Sequence, residues 1–198
     1  DTLVLRSMHA KVKGPTEAPK LHGMVDTLIA LAEMTKPKIA VADMDVPNAF
    51  ATGRNAKNAV VCVTTGLMSR LNDDELYGVL AHELSHIKNN DVTVMTIASF
   101  FATLAAMLMN VLMWMSLFGG LGHRGRGGGG GAFIIAYIVS MLVYFVATLL
   151  ILALSRYREF GADYGGAMLS GKPSSLASAL MKITGSIAKI PTKDLRTL

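Results

Sequence analysis

The chain has 198 residues, of which 52% are hydrophobic and only 17% are charged, and its mean hydropathy is +0.43. Soluble globular domains carry about 25% charged residues, so this composition excludes an ordinary soluble domain and an intrinsically disordered chain. The net charge of +5 is spread thinly, so we expect no nucleic-acid partner, and the single cysteine, Cys62, excludes an internal disulfide framework.

The first third of the chain predicts a helix followed by three short strands. Residues 21–35 have the periodicity of an amphipathic helix, which Pro37 should end. Six residues form its apolar stripe: Leu21, Met24, Val25, Leu28, Leu31 and Ala32. Residues 38–42, 50–53 and 59–65 predict strands, the last most clearly because it is rich in β-branched residues.

Two further helices are predicted from their first residues. Asn72 with Glu75 three positions later forms a capping-box pattern, so a helix should run from Asn72 to about Lys88. A last helix should begin near Pro173 and continue to about residue 188.

Two long uncharged stretches, residues 92–122 and 132–155, dominate the second half. Each is long enough to cross a bilayer, which takes about 20 apolar residues in a helix. The glycine-rich segment 122–131 between them predicts a flexible turn that does not hold a helix. We expect a transmembrane helical hairpin over residues 92–155. The alternative is a buried hairpin of a soluble protein, which the lack of a polar face disfavours.

The two ends of such a hairpin lie on the same side of the membrane. Residues 1–91 and 156–198 therefore share one compartment and can fold together as one domain. Three basic residues flank the open end and two lie at the turn, which favours a cytosolic open end. These residues are Lys88, Arg156 and Arg158 at the open end, and Arg124 and Arg126 at the turn.

The capped helix carries the sequence His82-Glu83-Leu84-Ser85-His86. Residues four apart share a helix face, so the two imidazoles can bind one metal ion. Zinc lowers the pKa of a water molecule to about 7, and a carboxylate at Glu83 can take the proton as that water attacks a carbonyl carbon. The motif therefore predicts a zinc metalloprotease.

A catalytic zinc takes three protein ligands and keeps one position open, so a third ligand must come from elsewhere. The remaining histidines are poorly placed. His9 and His22 lie upstream without a motif around them, and His123 lies in the turn, across the membrane if the hairpin spans it.

Carboxylates beyond the second apolar stretch are the other source of a ligand. Glu159 and Asp163 are four residues apart and share a helix face. Two small residues between them, suited to close helix packing, are Gly161 and Ala162. Spacing alone leaves two readings open: Glu159 binds zinc while Asp163 supports a liganding histidine, or Glu159 pairs with Arg156 or Arg158 on an exposed helix.

Taken together, these segments resemble the HtpX-type membrane zinc metalloproteases, relatives of the CAAX prenyl proteases. The matching segments, in the order of that family, are residues 48–53, 58–61, 64–67, 82–86 with Asn89 and Asp91, and 155–163. The resemblance implies an α+β fold: a mainly helical, zincin-like metalloprotease domain with a small sheet, interrupted by the transmembrane hairpin.

The resemblance also implies roles for individual residues. One zinc ion per chain would be bound by His82, His86 and Glu159, with Glu83 as the base and Asp163 supporting the site. The substrate cleft would be lined by one strand: Asn48, Ala49, Phe50 and Ala51.

The implied function is that of a quality-control, stress-response endopeptidase in the inner or plasma membrane. It would cross the membrane more than once, contact the lipid bilayer, face the cytoplasm with its active site, and cut misfolded or membrane polypeptides. The alternatives are a prenyl-protein protease, whose relatives need more spanning helices, and a non-enzymatic membrane scaffold, whose structural zinc would need four ligands. An intramembrane protease is disfavoured because charged residues closely flank the motif.

Two features of that family have no counterpart in this sequence: an upstream hydrophobic pair and a continuation past the last helix. The chain begins at Asp1 without a signal-peptide pattern. We therefore expect a fragment of a longer protein, with residues 1–13 as a connection from an upstream part.

Overall fold

The computed structural model describes residues 2–53, 56–119 and 129–187. The chain divides into two compact units, one formed by Asp1–Thr93 with Arg158–Leu198 and the other by Val94–Tyr157. The predicted α+β class, mainly helical with a small sheet, is confirmed.

The helices are α1 (Thr2–Ser7), α2 (Pro19–Ala32), α3 (Thr65–Arg70), α4 (Asp73–Lys88), α5 (Asp91–Gly119), α6 (Gly129–Ser170) and α7 (Pro173–Ile187). The strands are β1 (Lys11–Val12), β2 (Lys38–Ala42), β3 (Ala49–Thr52) and β4 (Val60–Thr64), and a short 3₁₀ turn covers Ala56–Asn58.

The four strands form one mixed sheet in the order β1-β2-β4-β3. β2 and β4 are parallel, whereas β1 and β3 pair antiparallel with their neighbours. Every residue of β4 is buried because apolar clusters cover both faces of the sheet. Val61 and Val63 face the larger cluster, and Val60 and Cys62 face the smaller one. β3 is left as an edge strand.

Helix α4 lies against this sheet and also contacts α2 and α7. It begins with the predicted capping box: Glu75 N–H donates to Asn72 Oδ1 and Asn72 N–H donates to Glu75 Oε2, each at 2.9 Å. These two hydrogen bonds satisfy backbone N–H groups that have no partner within the helix, and they stabilise its first turn. The apolar face of α4 packs into the larger cluster.

Helix α2 differs from the prediction in the residue at which it ends and in the residues of its buried apolar face. It ends at Ala32, where Glu33 takes a left-handed conformation at φ 53°, so Pro37 does not end it. Leu31 is 62% exposed and does not belong to the buried stripe. At 100° per residue, Leu31 lies about 90° from the centre of the narrower stripe that contains Leu21 and Leu28.

The first residues are not a simple connection. α1 and β1 lie there, and Lys11 of β1 pairs with Val41 of β2. A strand of two residues is too short to show an alternating pattern, so no sequence pattern predicts β1. Helix α3, directly after β4, was also not predicted. The bounds of β2 match the predicted strand, and those of β3 and β4 differ from it by one residue.

Two helical stretches have membrane-spanning length and apolarity, Asp91–Met115 and Ile134–Ser170. Most of each stretch belongs to the second unit, Val94–Tyr157. In each helix, the most apolar window has no residue buried within the structure, whereas the core helices of soluble proteins are mostly buried. The two helices indicate a membrane protein. Their arrangement as a transmembrane hairpin stays a prediction.

The glycine-rich segment was predicted not to hold a helix, and this was wrong for its last residues. α6 begins at Gly129, so residues 129–131 are helical, whereas residues 120–128 lie outside the described chain. A long apolar helix adds one hydrogen bond for each residue it gains, which can offset the cost of about 1 kcal/mol for each glycine.

Candidate metal centre

His82 and His86 lie one turn apart on α4, and their Nε2 atoms are 3.2 Å apart. Glu159 of α6 places its Oε2 atom 3.8 Å from both Nε2 atoms. In the part of the chain that is described, these three side chains form a group whose donor atoms all lie within 4.8 Å of one another. Two imidazoles and a carboxylate are a donor set that zinc accepts in catalytic sites.

The spacing of these atoms fits a single zinc ion. Ligand bonds of about 2.0–2.1 Å in a tetrahedral site place donor atoms roughly 3.3 Å apart. Burial, followed by the neighbouring His86, lowers the pKa of His82, which favours the neutral imidazole that a metal needs. The histidine side chains are only 11% and 12% exposed, whereas that of Glu159 is 56% exposed.

Each of the two imidazoles has a carboxylate next to its Nδ1 atom. Asp163 Oδ1 lies 2.9 Å from Nδ1 of His82, although their alignment falls short of a regular hydrogen bond. Asp91 Oδ2 lies 2.6 Å from Nδ1 of His86 and makes a hydrogen bond with it. A carboxylate at Nδ1 keeps the proton there and leaves Nε2 free to bind a metal.

Asp91 is the residue at this site to which sequence reasoning gave no role. It is only 4% exposed, and Arg158 Nε lies 3.5 Å from the same Oδ2 atom that contacts His86. Asp91 is five positions after His86, a spacing that would place the two residues on different faces of a straight helix. The left-handed Asn90, at φ 55°, breaks the helix between them and lets Asp91 turn back. The resemblance had included Asp91, and that was the available signal.

Small residues allow α6 to lie against α4 near the metal centre. A Cβ atom added at Gly166 would lie 2.9 Å from the Cα atom of His82, and one at Gly165 would lie 2.7 Å from Ser85 Oγ. Ala162 is fully buried. At Gly161, which the sequence suggested for this contact, the nearest atom would be 3.8 Å away on Asn89, so the closest approach lies one turn later.

Glu83 lies next to His82 and contacts the edge strand. Its carboxylate accepts a hydrogen bond from the backbone N–H of Ala51. Loss of hydration raises the pKa of Glu83 to about 8, with a smaller contribution from Glu159, while the Ala51 hydrogen bond opposes the increase. A carboxylate with a raised pKa is a stronger proton acceptor.

The strand predicted to line the cleft is divided between two faces of the sheet. Ala49 and Ala51 pack against the larger cluster on the side of α4. Phe50 packs against the smaller cluster, so the structure does not bring its side chain to the metal centre. Asn48 lies beside the site, with His82 and Glu83.

Comparison with known proteins points to one family. The model of peptidase family M48 matches residues 15–196. The chain is 54% identical over 197 residues to the Protease HtpX homolog of Moorella thermoacetica, covering 99% of this chain and 65% of that protein. It is 52% identical over 199 residues to Protease HtpX homolog 1 of Streptomyces coelicolor, covering 100% of this chain and 64% of that protein. The chain thus spans less than two thirds of the length of these curated relatives.

A solved structure shares the fold. The crystal structure of S. mikatae Ste24p matches with a TM-score of 0.54 and 21% sequence identity, covering 81% of this chain and 41% of that one.

Proposed function

Because this chain belongs to peptidase family M48, we propose that it forms the catalytic part of a membrane-anchored, zinc-dependent endopeptidase. The observation that carries the proposal is the convergence of His82, His86 and Glu159 beside the partly buried Glu83. Its substrates would be misfolded or membrane polypeptides, cut in stress-related protein quality control.

In this mechanism each residue has a separate task. The Nε2 atoms of His82 and His86 and the carboxylate of Glu159 would hold the zinc ion. When bound, zinc would polarise the substrate carbonyl and lower the pKa of the attacking water. Glu83 would take the proton of that water and pass it to the leaving amine. The N–H of Ala51 would keep the Glu83 carboxylate oriented during both transfers.

A non-enzymatic zinc scaffold is less well supported than a protease. A structural zinc site is closed by four protein ligands, whereas three converge among the described residues. Asp163, a candidate for a fourth ligand, is next to His82 Nδ1 and thus on the side of the ring away from the proposed metal.

The proposed location is the inner or plasma membrane, with more than one crossing and the active site facing the cytoplasm. The two long apolar helices support membrane insertion. The small excess of basic residues at the open end of the predicted hairpin supports a cytoplasmic orientation.

Glu83→Gln tests the catalytic proposal. We expect this variant to lose hydrolysis of casein but to keep about one zinc ion per chain, since Glu83 acts on water and does not bind the metal. His82→Ala and His86→Ala should lose both. Zinc content by elemental analysis and casein hydrolysis with and without a chelator give the two readouts.

Two results would contradict this assignment. Loss of zinc from Glu83→Gln would make Glu83 a ligand. Undiminished hydrolysis in that variant would place the base elsewhere, and a wild-type protein that binds zinc without cutting any polypeptide would favour the scaffold.

A further inference from the structure

A cavity of about 370 Å³ lies between the end of α4 and the end of α6. All of its described lining belongs to the first unit, and neither the proposed zinc ligands nor Glu83 are part of it. At 100° per residue, Gly161 and Met168 of the lining lie about 160–180° around α6 from Glu159. The cavity is therefore separate from the metal centre, on the other side of α6.

This cavity has a closed floor and an open side. Ser85 forms the floor, since it is 5% exposed and its hydroxyl donates to Ala81 O at 2.9 Å. Tyr164 and Met168 border the open side and are 64% and 67% exposed. A Cβ atom added at Gly161 would lie 3.8 Å from its nearest neighbour, so part of the space exists because this residue has no side chain.

The polar groups of the cavity favour an anion. Lys88 is exposed and is the charged residue of the described lining. It has no ion-pair partner among the residues that the structure describes, whereas Lys172 and Lys182 of the same unit pair with carboxylates. Asn89 adds an amide donor and Tyr164 a hydroxyl. An ammonium group beside neutral donors suits the oxygens of a phosphate.

An apolar stripe on α6 leads to the same cavity. Phe160, Tyr164 and Met168 follow each other at four residues and so share one side of the helix. They are 70%, 64% and 67% exposed, and the last two also line the cavity. Exposed aromatic side chains concentrate where lipid meets water. A ligand that fits both the stripe and the cavity has an apolar part as well as an anionic one.

Both walls of the cavity are close to the apolar stretches along the chain. Lys88 is three positions before Asp91, where one stretch begins, and three residues reach at most about 11 Å. Gly161 is six positions after Ser155, where the second uncharged stretch ends, and six helical residues rise about 9 Å. The headgroup region adds about 5–7 Å to each side of the hydrocarbon core of a bilayer. Lipid headgroups are therefore within reach of the cavity when the two stretches span a membrane.

We propose that this cavity binds the headgroup of an anionic phospholipid. Lys88 and Asn89 contact the phosphate, and the apolar part of the lipid lies against Phe160, Tyr164 and Met168. The negative surface of a membrane attracts such a lysine, and the cavity turns this general attraction into a site for one lipid molecule. The inference goes beyond the proposed peptidase activity and does not depend on it.

The test counts the lipids that the zinc-loaded chain retains. The protein in neutral detergent is mixed with phosphatidylglycerol or with phosphatidylcholine of the same acyl chains, and native mass spectrometry gives the bound number. We expect about one phosphatidylglycerol per chain, retained at least about tenfold more tightly than phosphatidylcholine, because the choline group neutralises the phosphate. Glycerol phosphate, which has no acyl chains, should bind far more weakly than phosphatidylglycerol.

Lys88→Glu and Lys38→Glu form a matched pair, because they change the net charge equally. Lys38 is exposed on β2 and is not part of the lining. Lys88→Glu should abolish the preference for phosphatidylglycerol, whereas Lys38→Glu should keep it. Equal losses in the two variants would show a general attraction to the charged surface and overturn the site.

Gly161→Leu and Gly185→Leu test the space itself. Both add the same side chain to a helical glycine, but the first fills the cavity and the second has no atom within 4 Å of its added Cβ. Gly161→Leu should weaken retention of phosphatidylglycerol at least about tenfold, and Gly185→Leu should leave it unchanged. Zinc content and melting temperature show that each variant is folded, and Lys88→Glu tests the site at an exposed position if Gly161→Leu does not fold.

Three results would overturn the proposal. They are equal retention of the two lipids by the wild type, undiminished retention in folded Lys88→Glu, and binding of glycerol phosphate as tight as that of phosphatidylglycerol, which would indicate a site for soluble phosphate esters. A wild type that retains no lipid but forms a dimer that Gly161→Leu breaks would assign the cavity to a second copy of the chain. None of these measurements involves peptide hydrolysis, so failure of the lipid site and failure of the proposed function are distinguishable.

Discussion

Each imidazole of the proposed metal centre has its own carboxylate at Nδ1. Asp163 serves His82 from α6, and Asp91 serves His86 from the start of α5. Asp91 also faces the guanidinium of Arg158, which directly precedes Glu159, the third proposed ligand. Asp91 makes a hydrogen bond with its ring, whereas Asp163 lies close to the His82 ring without the alignment of a regular hydrogen bond.

Asp91→Asn should weaken zinc binding about 10- to 100-fold, the range for changes at groups that orient metal ligands. The amide is neutral, so it holds the Nδ1 proton less strongly. Asp163→Asn should fall in the same range, and Glu159→Gln should cost more because it removes an anionic donor. Competition with a chelator gives the affinities.

Asp74→Asn is the control for these variants, because its exposed carboxylate pairs with Lys172 away from the metal centre. Its zinc affinity should equal that of the wild type. A folded Asp91→Asn protein with undiminished affinity would show that Asp91 does not orient His86.

The sequence predicted some of these residues and not others, for a physical reason. His82, Glu83 and His86 follow from the spacing of residues on one helix. The approach of Glu159 to that helix depends on tertiary packing, so spacing left its role open. The role of Asp91 depends on the left-handed Asn90, which no periodicity indicates.

At the scale of single helices, the contact of α6 with α4 depends on one glycine, Gly166. Glu159, Asp163 and Gly166 follow each other at four and three residues and lie on one face of α6. Gly166 has no room for a Cβ atom, because the backbone of His82 would be 2.9 Å away. A side chain there must separate the two helices or shift one along the other.

Gly166→Ala should therefore lower zinc affinity and hydrolysis at least about tenfold and destabilise the fold by about 1–3 kcal/mol, the usual cost of overpacking. Alanine favours a helix over glycine by about 1 kcal/mol, so a loss of stability would come from the contact and not from the helix itself. Thermal melting and chelator competition measure the two effects.

Gly161→Ala provides the comparison on the same helix, since its added Cβ atom would lie 3.8 Å from the nearest group. We expect zinc affinity and melting temperature close to those of the wild type. Equal losses in the two glycine variants would mean that helix propensity or another general effect is responsible, not the contact with His82.

Glu75 joins α4 to α7 and should make the stability of this unit depend on acid. Lys182, the N–H of Asn72 and Ser178 lower the pKa of Glu75 from the usual 4.5 to about 2. A pKa below its unfolded value contributes stability above about pH 4.5, and the contribution is lost as the pH falls from 4.5 toward 2. Glu75→Gln should cost about 1.5–3 kcal/mol at neutral pH, the range for hydrogen bonds to a charged group.

The Glu75→Gln protein should also lose less stability than the wild type between pH 5 and pH 2.5. Melting temperatures measured in detergent over this range give the difference. Asp74→Asn, one residue earlier and exposed, should retain the acid dependence of the wild type. The same slope in wild type and Glu75→Gln would show that other groups cause the acid dependence.

At the scale of the whole molecule, composition predicted more than local pattern did. The two uncharged stretches predicted two long apolar helices, which the structure contains as α5 and α6. β1 and α3 were missed because they are short and depend on pairing or on the preceding strand. The glycines at the start of α6 were misjudged because a long helix can extend into residues that would not form one alone.

The two apolar helices should keep the protein in the membrane. After expression in bacteria and carbonate extraction, we expect the chain to remain in the pellet and to require detergent for release. The most apolar window of each helix has no residue buried within the protein, so transfer of these side chains from water to lipid is favourable.

A matched variant with Ile138, Leu142 and Leu149 changed to Arg should shift toward the supernatant or aggregate, since each charge near the centre of a spanning helix costs about 2.5–3.5 kcal/mol. These three side chains are 57%, 61% and 49% exposed, so the changes do not disturb a packed core. Recovery of the unchanged chain in the supernatant would contradict membrane insertion and favour the buried hairpin of a soluble protein.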